Sequence, residues 1–315
     1  MWTSPAGEVQ TFVSSTNPKK MKHCLLASLL ILSLSTQAQV ADSIPKKGSY
    51  LYYGQPSIED NSMFIEEAFN QESGVIQHIS NFIFTGKEFA FAYTQEIPLA
   101  DVKHQLSFGV SYASQKKPEG LTPIGSTQFL TNGLGDVVVN YRPQIWGKDK
   151  WALIIPRFTV IIPTGNARYG LGAGGWGGQF NLAVTKRLNS KITTHYNGGY
   201  TLINKADHFN YAADGTAVKA CEKNLGSVNV GGSVIWLVKP KFNIMVEYLS
   251  TFGEAIEDDG SLVKDNSTII NPGFRFALDV GKVQIVPGLG MPINFSNGEF
   301  ENRGGFIYLS IEPAY

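Results

Sequence analysis

The sequence predicts an all-β protein, a transmembrane antiparallel β-barrel of about 12 strands with short turns at one end and long loops at the other. Three observations predict this fold: apolar and polar residues alternate over most of the chain from Val75 onward, the alternating segments are long, and their connections alternate in length. A period of two places successive side chains on opposite faces of a strand. Segments of about ten residues match a tilted strand that crosses a membrane.

The composition excludes several other classes of protein. The 315 residues carry 26 basic and 26 acidic side chains, so the formal net charge is zero, whereas nucleic-acid binding calls for a basic surface. A hydrophobic fraction of 43% is too high for a disordered chain. Two cysteines cannot build a disulfide scaffold or a structural zinc site. Only 17% of residues are charged, yet the mean hydropathy is −0.07, so the chain is poor in charge without being hydrophobic overall.

The N-terminal region has the pattern of a secretory signal. Residues 21–38 begin next to Lys19 and Lys20, continue through the apolar stretch 24–34, and end at small residues that fit a cleavage site after Ala38. Residues 1–20 are interpreted as an upstream extension. No later run of 18 apolar residues is present, which argues against a helical inner-membrane protein. The sequence therefore predicts Sec-type export and a place in the bacterial outer membrane.

Residues 39–74 lack the alternation and form a separate predicted region ahead of the barrel, which spans 75–315. Ser62 could cap one or two helical turns with Glu66 and Glu67 near their start. Two interpretations stay open for 39–74: a periplasmic segment, or a plug folded into the lumen.

Twelve segments in the barrel region carry the alternation. Most of them exceed the mean length of about five or six residues for strands in globular proteins. They lie at residues 75–84, 87–98, 103–113, 135–146, 150–163, 176–188, 191–203, 224–237, 240–252, 267–279, 281–293 and 304–314.

The connections between segments indicate which end of the barrel faces which side of the membrane. Short turns on one side and long loops on the other are typical of bacterial outer-membrane barrels, and an even number of strands places both chain ends on the short-turn, periplasmic side. A short turn at Thr85–Gly86 and an intermediate connection at 294–303 depart from the pattern. Short turns are predicted near Ala100, Lys148, Ser190, Pro240 and Gly281, and long loops at 114–134, 164–175, 204–223 and 253–266.

A soluble β-sandwich or lipocalin-like barrel would also show alternation. The aromatic residues favour the membrane: Trp146, Trp151 and Trp236 flank predicted short turns and Trp176 lies at the opposite rim, as expected of an interfacial girdle. The final strand ends at Tyr315, an aromatic terminus that resembles the signal by which the barrel-assembly machinery recognises its substrates. The apolar face of this strand comprises Ile307, Leu309, Ile311, Pro313 and Tyr315.

The polar register of the strands predicts which side chains face the lumen. A buried charge is costly without a partner, so these residues either pair across a sealed interior or line a polar pathway, and both interpretations stay open. Asn181, Asn229 and Asn271 belong to the same register. The lumen-lining candidates are Asn140, Arg142, Arg157, His195, Asn197, Glu247, Arg275 and Glu312.

No motif predicts catalysis, a cofactor or a metal. Residues 170–175 match G-x-G-x-x-G, but a predicted strand follows them and no acid occurs between Asp149 and Asp207, so a dinucleotide site is rejected. The patterns G-x-S-x-G and H-E-x-x-H are absent. His195 points inward, whereas a barrel hydrolase would need a histidine beside a serine on the lipid-facing side. We therefore expect no enzyme activity, and a barrel-type hydrolase is the least favoured alternative.

Two stretches resemble a known family. Gly133-Leu134-Gly135-Asp136-Val137-Val138-Val139-Asn140-Tyr141, and Ile162-Pro163-Thr164-Gly165 followed by Leu171-Gly172-Ala173-Gly174, resemble the outer-membrane family named for the meta-pathway of phenol degradation, a set of proposed transporters. The resemblance covers roughly residues 60–315, and a more distant one links the chain to long-chain fatty-acid channels. Asp136 and Thr164 match the motif positions and are interpreted as rim or turn residues.

The resemblance implies an outer-membrane barrel associated with uptake of aromatic or hydrophobic compounds. We expect a monomeric channel through which small apolar or aromatic molecules pass down their gradient. Its partners would be outer-membrane lipid, the solute and the barrel-assembly machinery, with no nucleic acid. The alternative is a closed barrel that serves as a structural or surface-interaction protein through its loops.

Overall fold

The computed structural model describes one β-barrel and a short segment ahead of it. It covers residue 58 and residues 62–71, 73–99, 103–116, 130–144, 152–212 and 214–313, with two small N-terminal strand pairs. The predicted signal peptide 21–38, most of the loop 114–134, Trp146, Trp151 and Tyr315 lie outside the described residues.

Twelve antiparallel strands make the barrel, which confirms the predicted fold class. Four of them are interrupted and have two parts. The strands are β1 (Gln77–Thr85), β2 (Glu88–Pro98), β3 (His104–Lys116), β4 (Leu130–Leu134 and Val137–Pro143), β5 (Leu153–Ile162), β6 (Gly177–Asn189), β7 (Ile192–Tyr211), β8 (Ala217–Lys239), β9 (Phe242–Ile256), β10 (Leu262–Phe276 and Leu278–Val280), β11 (Val283–Gly290 and Ile293–Ser296) and β12 (Glu299–Arg303 and Gly305–Pro313).

The sheet closes because the last strand pairs with the first. The β12–β1 ladder runs from Gly305 opposite Phe84 to Ile311 opposite His78, in antiparallel register. Every other strand pairs with its neighbours in chain order, so the described barrel has no free edge along this path. Closure satisfies the backbone N–H and C=O groups of all strands without water.

Alternation of exposure along each strand separates two faces. On β9, for example, Ile244, Val246 and Tyr248 are exposed, whereas Asn243, Met245 and Glu247 between them are buried. The outward face presents large apolar side chains, among them the half-exposed Trp236 and Trp176. The inward face is mixed within single strands: on β1, for example, the buried Gln77, Asn81 and Thr85 alternate with the buried Ile79 and Ile83. A barrel with an apolar exterior, and with its buried polar groups turned inward, suits a lipid environment.

Two predicted loops are largely strand. The region 204–223 lies mostly within β7 and β8, which pair as far as Tyr211 opposite Ala217. Residues 253–266 likewise belong mainly to β9 and β10, which pair to Ile256 opposite Leu262. The alternation ends earlier than the pairing because strands that extend beyond a membrane do not need an apolar outward face. Hydrogen bonding between the strands continues there through polar and charged residues.

The residue types explain the turn between β1 and β2 and the break in β11. Gly86 has a φ of 61° in the tight turn between β1 and β2, a left-handed conformation that glycine adopts without strain. The β11 strand is interrupted next to Pro292, which has no N–H for the ladder. The loop 164–175 contains a single 3₁₀ turn, Ala167–Tyr169.

No helix within the described ranges has the length and apolar character needed to cross a membrane.

The exposed apolar band predicts a depth-dependent cost for an outward charge. Val230 lies midway along the band on β8, and Val218 lies near the far end of the same strand, beyond the band; both are outward and exposed. We expect Val230→Arg to destabilise the barrel by about 2–4 kcal/mol in lipid vesicles, because arginine is placed in hydrocarbon. Val218→Arg is the matched control and should change stability by less than about 0.5 kcal/mol. Urea unfolding in vesicles measures both, and equal costs would contradict a membrane band at this depth.

Candidate functional site

The segment 62–71, called the inner segment from here on, lies inside the barrel. All of its residues except Phe69 are buried, although none belongs to a helix or a strand. The helical turns predicted after Ser62 are therefore absent. The reason is that its backbone N–H groups are bonded to barrel side chains, so they do not form a helical ladder. Ile58, just before the segment, donates its N–H to the carbonyl of Pro240 at a short turn (3.0 Å).

Glu247 on β9 anchors the start of the inner segment. Its Oε1 accepts hydrogen bonds from the backbone N–H groups of Met63, Phe64 and Ile65 at 2.9, 2.8 and 3.1 Å. Asn271 donates its Nδ2 hydrogen to the other carboxylate oxygen at 2.8 Å. Hydrogen bonds to a charged acceptor are roughly twice as strong as neutral ones, so one carboxylate fixes three successive residues of the segment.

Further anchors continue along the segment. Asn197 on β7 makes two bonds to the backbone of Glu66, accepting from its N–H at 2.7 Å and donating to its C=O at 2.8 Å. Thr185 on β6 accepts from the N–H of Ala68 at 2.8 Å. Gln105 on β3 accepts from the N–H of Gln71 at 2.6 Å. The segment thus follows the inner wall from β9 round to β3, held by side chains of the barrel.

The carboxylate of Glu66 lies between two buried arginines. Arg157 on β5 brings its Nε to 3.0 Å from Oε2, and Asn181 on β6 donates to the same oxygen at 2.7 Å. Arg142 on β4 brings its Nε to 3.1 Å from Oε1, an ion pair without the alignment of a hydrogen bond. Arg142 also lies 3.6 Å from carboxylate oxygens of Glu67 and Glu96. Pairing of this kind offsets the cost of burying the charges.

The barrel orients Arg157 by itself. The Nη1 group donates to Asn140 Oδ1 and Thr159 Oγ1, both at 2.7 Å, and Nη2 donates to Gln179 Oε1 at 2.6 Å. These three oxygens are neutral and belong to strands of the barrel. The guanidinium is therefore held in place by the sheet, and its Nε side faces the inner segment.

The interior around Phe306, called the apolar wall from here on, is lined by apolar side chains, and the region around Arg157 is called the polar wall. Phe306 and Tyr308 on β12 and Ile79 and Ile83 on β1 are buried in one cluster, which also contains Phe64 of the inner segment. The rings of Phe64 and Phe306 are 4.8 Å apart, centroid to centroid, and tilted by 54°. Aromatic pairs in such an arrangement add attraction beyond the area that they bury. These apolar side chains on β12 and β1 lie across the barrel from the polar side chains around Arg157 on β5, and other buried polar groups such as Asn81 and Glu96 lie near them in the sheet.

Four of the eight lumen-lining candidates contact the inner segment: Arg142, Arg157, Asn197 and Glu247. Asn140 holds the side chain of Arg157, and the other three bond or pack on barrel residues.

His195 is buried and its Nδ1 lies 2.6 Å from Thr185 Oγ1. Arg275 is buried with its guanidinium 5.5 Å from the ring centre of Tyr308. Glu312 is partly buried and accepts from Gln77 Nε2 at 2.7 Å.

The sequence pattern predicts Glu66 and Glu67 near the start of helical turns, whereas in the structure Glu66 pairs with Arg142 and Arg157, and Glu67 lies 3.6 Å from Arg142. A signal for them exists in the pattern of charge: the inward register contains three arginines, and acids in the non-alternating region ahead of the barrel are available as partners.

Asp136 fixes the loop at the other end of the barrel. It lies in the break between the two parts of β4 and accepts from the N–H groups of Gly165 at 2.9 Å and Ala173 at 2.8 Å. Burial raises the pKa of its carboxyl above the ordinary value, an effect that the two N–H groups oppose. A Cβ at Gly172 would stand 2.5 Å from its Oδ1, so the close approach requires glycine. Leu171 is thereby held in the buried apolar cluster.

The glycine-rich residues that match G-x-G-x-x-G therefore belong to this folded-in loop, and the strand β6 follows them. No cluster of three or more potential metal-ligating side chains occurs in the part of the chain that the structure describes.

The fold is similar to that of solved outer-membrane barrels. An outer membrane channel from Pseudomonas putida F1 has a TM-score of 0.57 at 14% identity, covering 79% of this chain and 98% of that one. The NanC porin (TM-score 0.42, 8% identity, 75% and 98% covered) and the KdgM porin (0.42, 9%, 76% and 99%) are more distant. No protein-family model and no curated protein matches the chain. The protein therefore has the fold of a bacterial outer-membrane β-barrel.

The buried ion pair between Arg157 and Glu66 predicts a large effect on stability. Arg157→Met leaves the Glu66 carboxylate with fewer partners, and we expect a loss of about 3–5 kcal/mol. Combining it with Glu66→Gln should recover part of the loss, because the buried charge is removed as well. Urea unfolding of the single and double variants measures the coupling. A loss below about 1 kcal/mol in Arg157→Met would contradict the pairing.

The contacts of Asp136 predict the mobility of the loop 164–175. Asp136→Ala removes two hydrogen bonds to a charged acceptor, each contributing about 1.5–3 kcal/mol. We expect trypsin to cut after the exposed Arg168 at least about ten-fold faster, since 1.4 kcal/mol changes an opening equilibrium ten-fold. Asp136→Asn, which keeps the size and one acceptor oxygen, should give an intermediate rate. Unchanged cleavage in Asp136→Ala would show that the loop is held by other contacts.

Proposed function

We propose that the protein is a channel of the bacterial outer membrane for passive uptake of small apolar or aromatic molecules, and that the inner segment is its gate. The observation that carries this proposal is the way in which the inner segment is held. Side chains of the barrel bind it, and no residue of it pairs in the sheet. Such a segment can leave the lumen without breaking a strand ladder, which is what a gate requires.

The two walls of the interior support an amphipathic pathway. The side chains around Arg157 on β4 to β7 include amides and arginines, whereas those around Phe306 on β12 and β1 include the apolar Tyr308, Ile79 and Ile83. A small aromatic molecule can contact the apolar wall while its polar group is bonded on the other side. The resemblance of residues 133–141 and 162–174 to the family named for phenol degradation points to the same class of solute. Residues 21–38 would direct the chain to the outer membrane as a Sec-type signal peptide.

The channel would work without catalysis. Thr185 is the hydroxyl partner of His195, and it also accepts the N–H of Ala68, so the histidine belongs to the framework that holds the inner segment. Passage would be driven by the concentration gradient of the solute alone.

A closed barrel with a structural or surface role is the second candidate, and one observation favours it. The inner segment and the loop residue Leu171 are both buried in the interior, so contacts fill the barrel from both ends. This candidate and the channel differ in what they permit: a closed barrel passes no solute in any state.

Permeability decides between these two functions. We expect wild-type protein in a planar bilayer to show brief openings, and Glu247→Ala to increase the open fraction at least about ten-fold, because three hydrogen bonds to the segment are lost. Glu299→Ala, which removes an exposed carboxylate from the β11–β12 hairpin, is the matched control and should leave the openings unchanged. Liposome swelling with benzyl alcohol should follow the same order. A barrel without conductance or swelling in all three proteins would refute the channel and favour the closed structure.

A further inference from the structure

The inner segment presents an aromatic ring and a carboxylate to opposite walls of the barrel. Phe64 packs against Phe306 on the apolar wall, with 4.8 Å between ring centres. Two residues later, the Glu66 carboxylate reaches Arg157 at 3.0 Å and Asn181 at 2.7 Å on the polar wall. Within three residues the segment thus combines the two chemical groups of an aryl carboxylic acid, and each group is bound by the wall that suits it.

The barrel builds the carboxylate site without help from the segment. Asn140, Thr159 and Gln179 hold the Arg157 guanidinium through neutral oxygens at 2.6–2.7 Å, and these contacts remain when the segment leaves. Asn181 is likewise a barrel residue. A guanidinium oriented in advance, with an amide donor beside it, is an arrangement that recognises a planar carboxylate.

The local charge favours an anion once the segment has left. Glu66 and Glu67 both belong to the segment, so both negative charges leave together. Two of the barrel acids named above stay: Glu96, which faces Arg142 at 3.6 Å, and Glu247, which accepts from Asn271 at 2.8 Å, while the barrel oxygens bonded to Arg157 are neutral. Departure of Glu66 removes the carboxylate that lies 3.0 Å from Arg157 Nε, and an incoming carboxylate would restore this contact.

The apolar site opposite also belongs to the barrel. Phe306, Tyr308 and Ile79 are buried in one cluster on β12 and β1. Removal of the Phe64 ring would expose their surfaces to the lumen, and burying a ring there again is favourable by the hydrophobic effect.

We propose that the interior contains a binding site for an aryl or arylalkyl carboxylate, and that Phe64 and Glu66 occupy it as a built-in competitor. The solute takes the places of the ring and the carboxylate, and mass action then shifts the inner segment out of the lumen. This inference rests on the proposed channel for the role of the displaced segment, and it narrows the solute class to amphipathic monocarboxylates. Binding itself does not require transport.

The test compares two probes with the same carbon skeleton, one with a carboxylate and one with a neutral amide group. Binding of 3-phenylpropionate and of 3-phenylpropionamide is measured by calorimetric titration of the full-length protein in detergent at neutral pH. Wild-type protein should bind the acid weakly, because Glu66 competes for the site. Glu66→Gln should bind the acid at least about ten-fold more tightly and bind the amide as wild type does. Glu299→Gln, a matched change of an exposed carboxylate, should behave as wild type.

Arg157→Gln in the Glu66→Gln background identifies the site. We expect the gain for the acid to disappear and binding of the amide to stay the same. Equal binding of acid and amide in Glu66→Gln would overturn the inference. So would a gain for the acid that persists after Arg157→Gln, because the carboxylate would then bind elsewhere.

A measurement on the wild-type protein keeps the test valid if a variant fails to fold. In planar bilayers, 3-phenylpropionate should increase the open fraction of the wild-type channel, and the amide at the same concentration should not. The same response to both compounds would overturn the inference. A protein that binds the acid selectively but passes nothing would refute the channel and retain the binding site. A protein that passes neutral solutes without distinguishing acid from amide would refute the binding site alone.

Discussion

Closure of the sheet by the β12–β1 ladder is the constraint on which the rest of the structure depends. Backbone groups in hydrocarbon must find partners within the protein, and a sheet achieves this only when its two edges meet. The ladder from Gly305 opposite Phe84 to Ile311 opposite His78 provides that contact. Once the sheet is closed, every second side chain must face an enclosed interior. The chemistry of that interior then decides whether the barrel is filled, hydrated or selective.

The interior of this barrel is filled by its own chain. Buried arginines on the strands require partners, and the inner segment supplies them through Glu66, while Glu247 in turn binds three backbone groups of the segment. The inner segment therefore provides a carboxylate partner for the buried arginines, and the barrel provides a carboxylate partner for buried N–H groups of the segment. Because these contacts come from side chains and involve no ladder, the segment and the sheet remain separable. Backbone hydrogen bonds between strands stabilise the wall of the barrel, whereas side-chain hydrogen bonds hold the inner segment and allow it to be displaced.

The parts of this structure that were predictable from sequence are those in which the membrane imposes a pattern. Alternation such as Ile244, Val246 and Tyr248 around buried neighbours gave the strands, and the fold class is confirmed. The pattern failed where strands continue beyond the apolar band, as in β7 and β8 through 204–223, because pairing there needs no apolar face. The alternation also predicted that the side chains of Arg157 and Glu247 face the interior. The partner of Arg157, Glu66, was not predictable, since a contact between residues about 90 positions apart leaves no periodic signal.

The inner segment also has a consequence for the order of assembly. The backbone of Met63 bonds to a carboxylate 184 positions later, and its neighbour Phe64 packs on Phe306 of the final strand. Neither contact surface exists until the strands that carry them are in place, and contacts so distant in sequence form late. The residues of this segment precede the whole barrel in the chain, yet they can be seated only after β12 has joined β1. Nascent barrels would therefore pass through a closed but empty stage, with the lumen still hydrated.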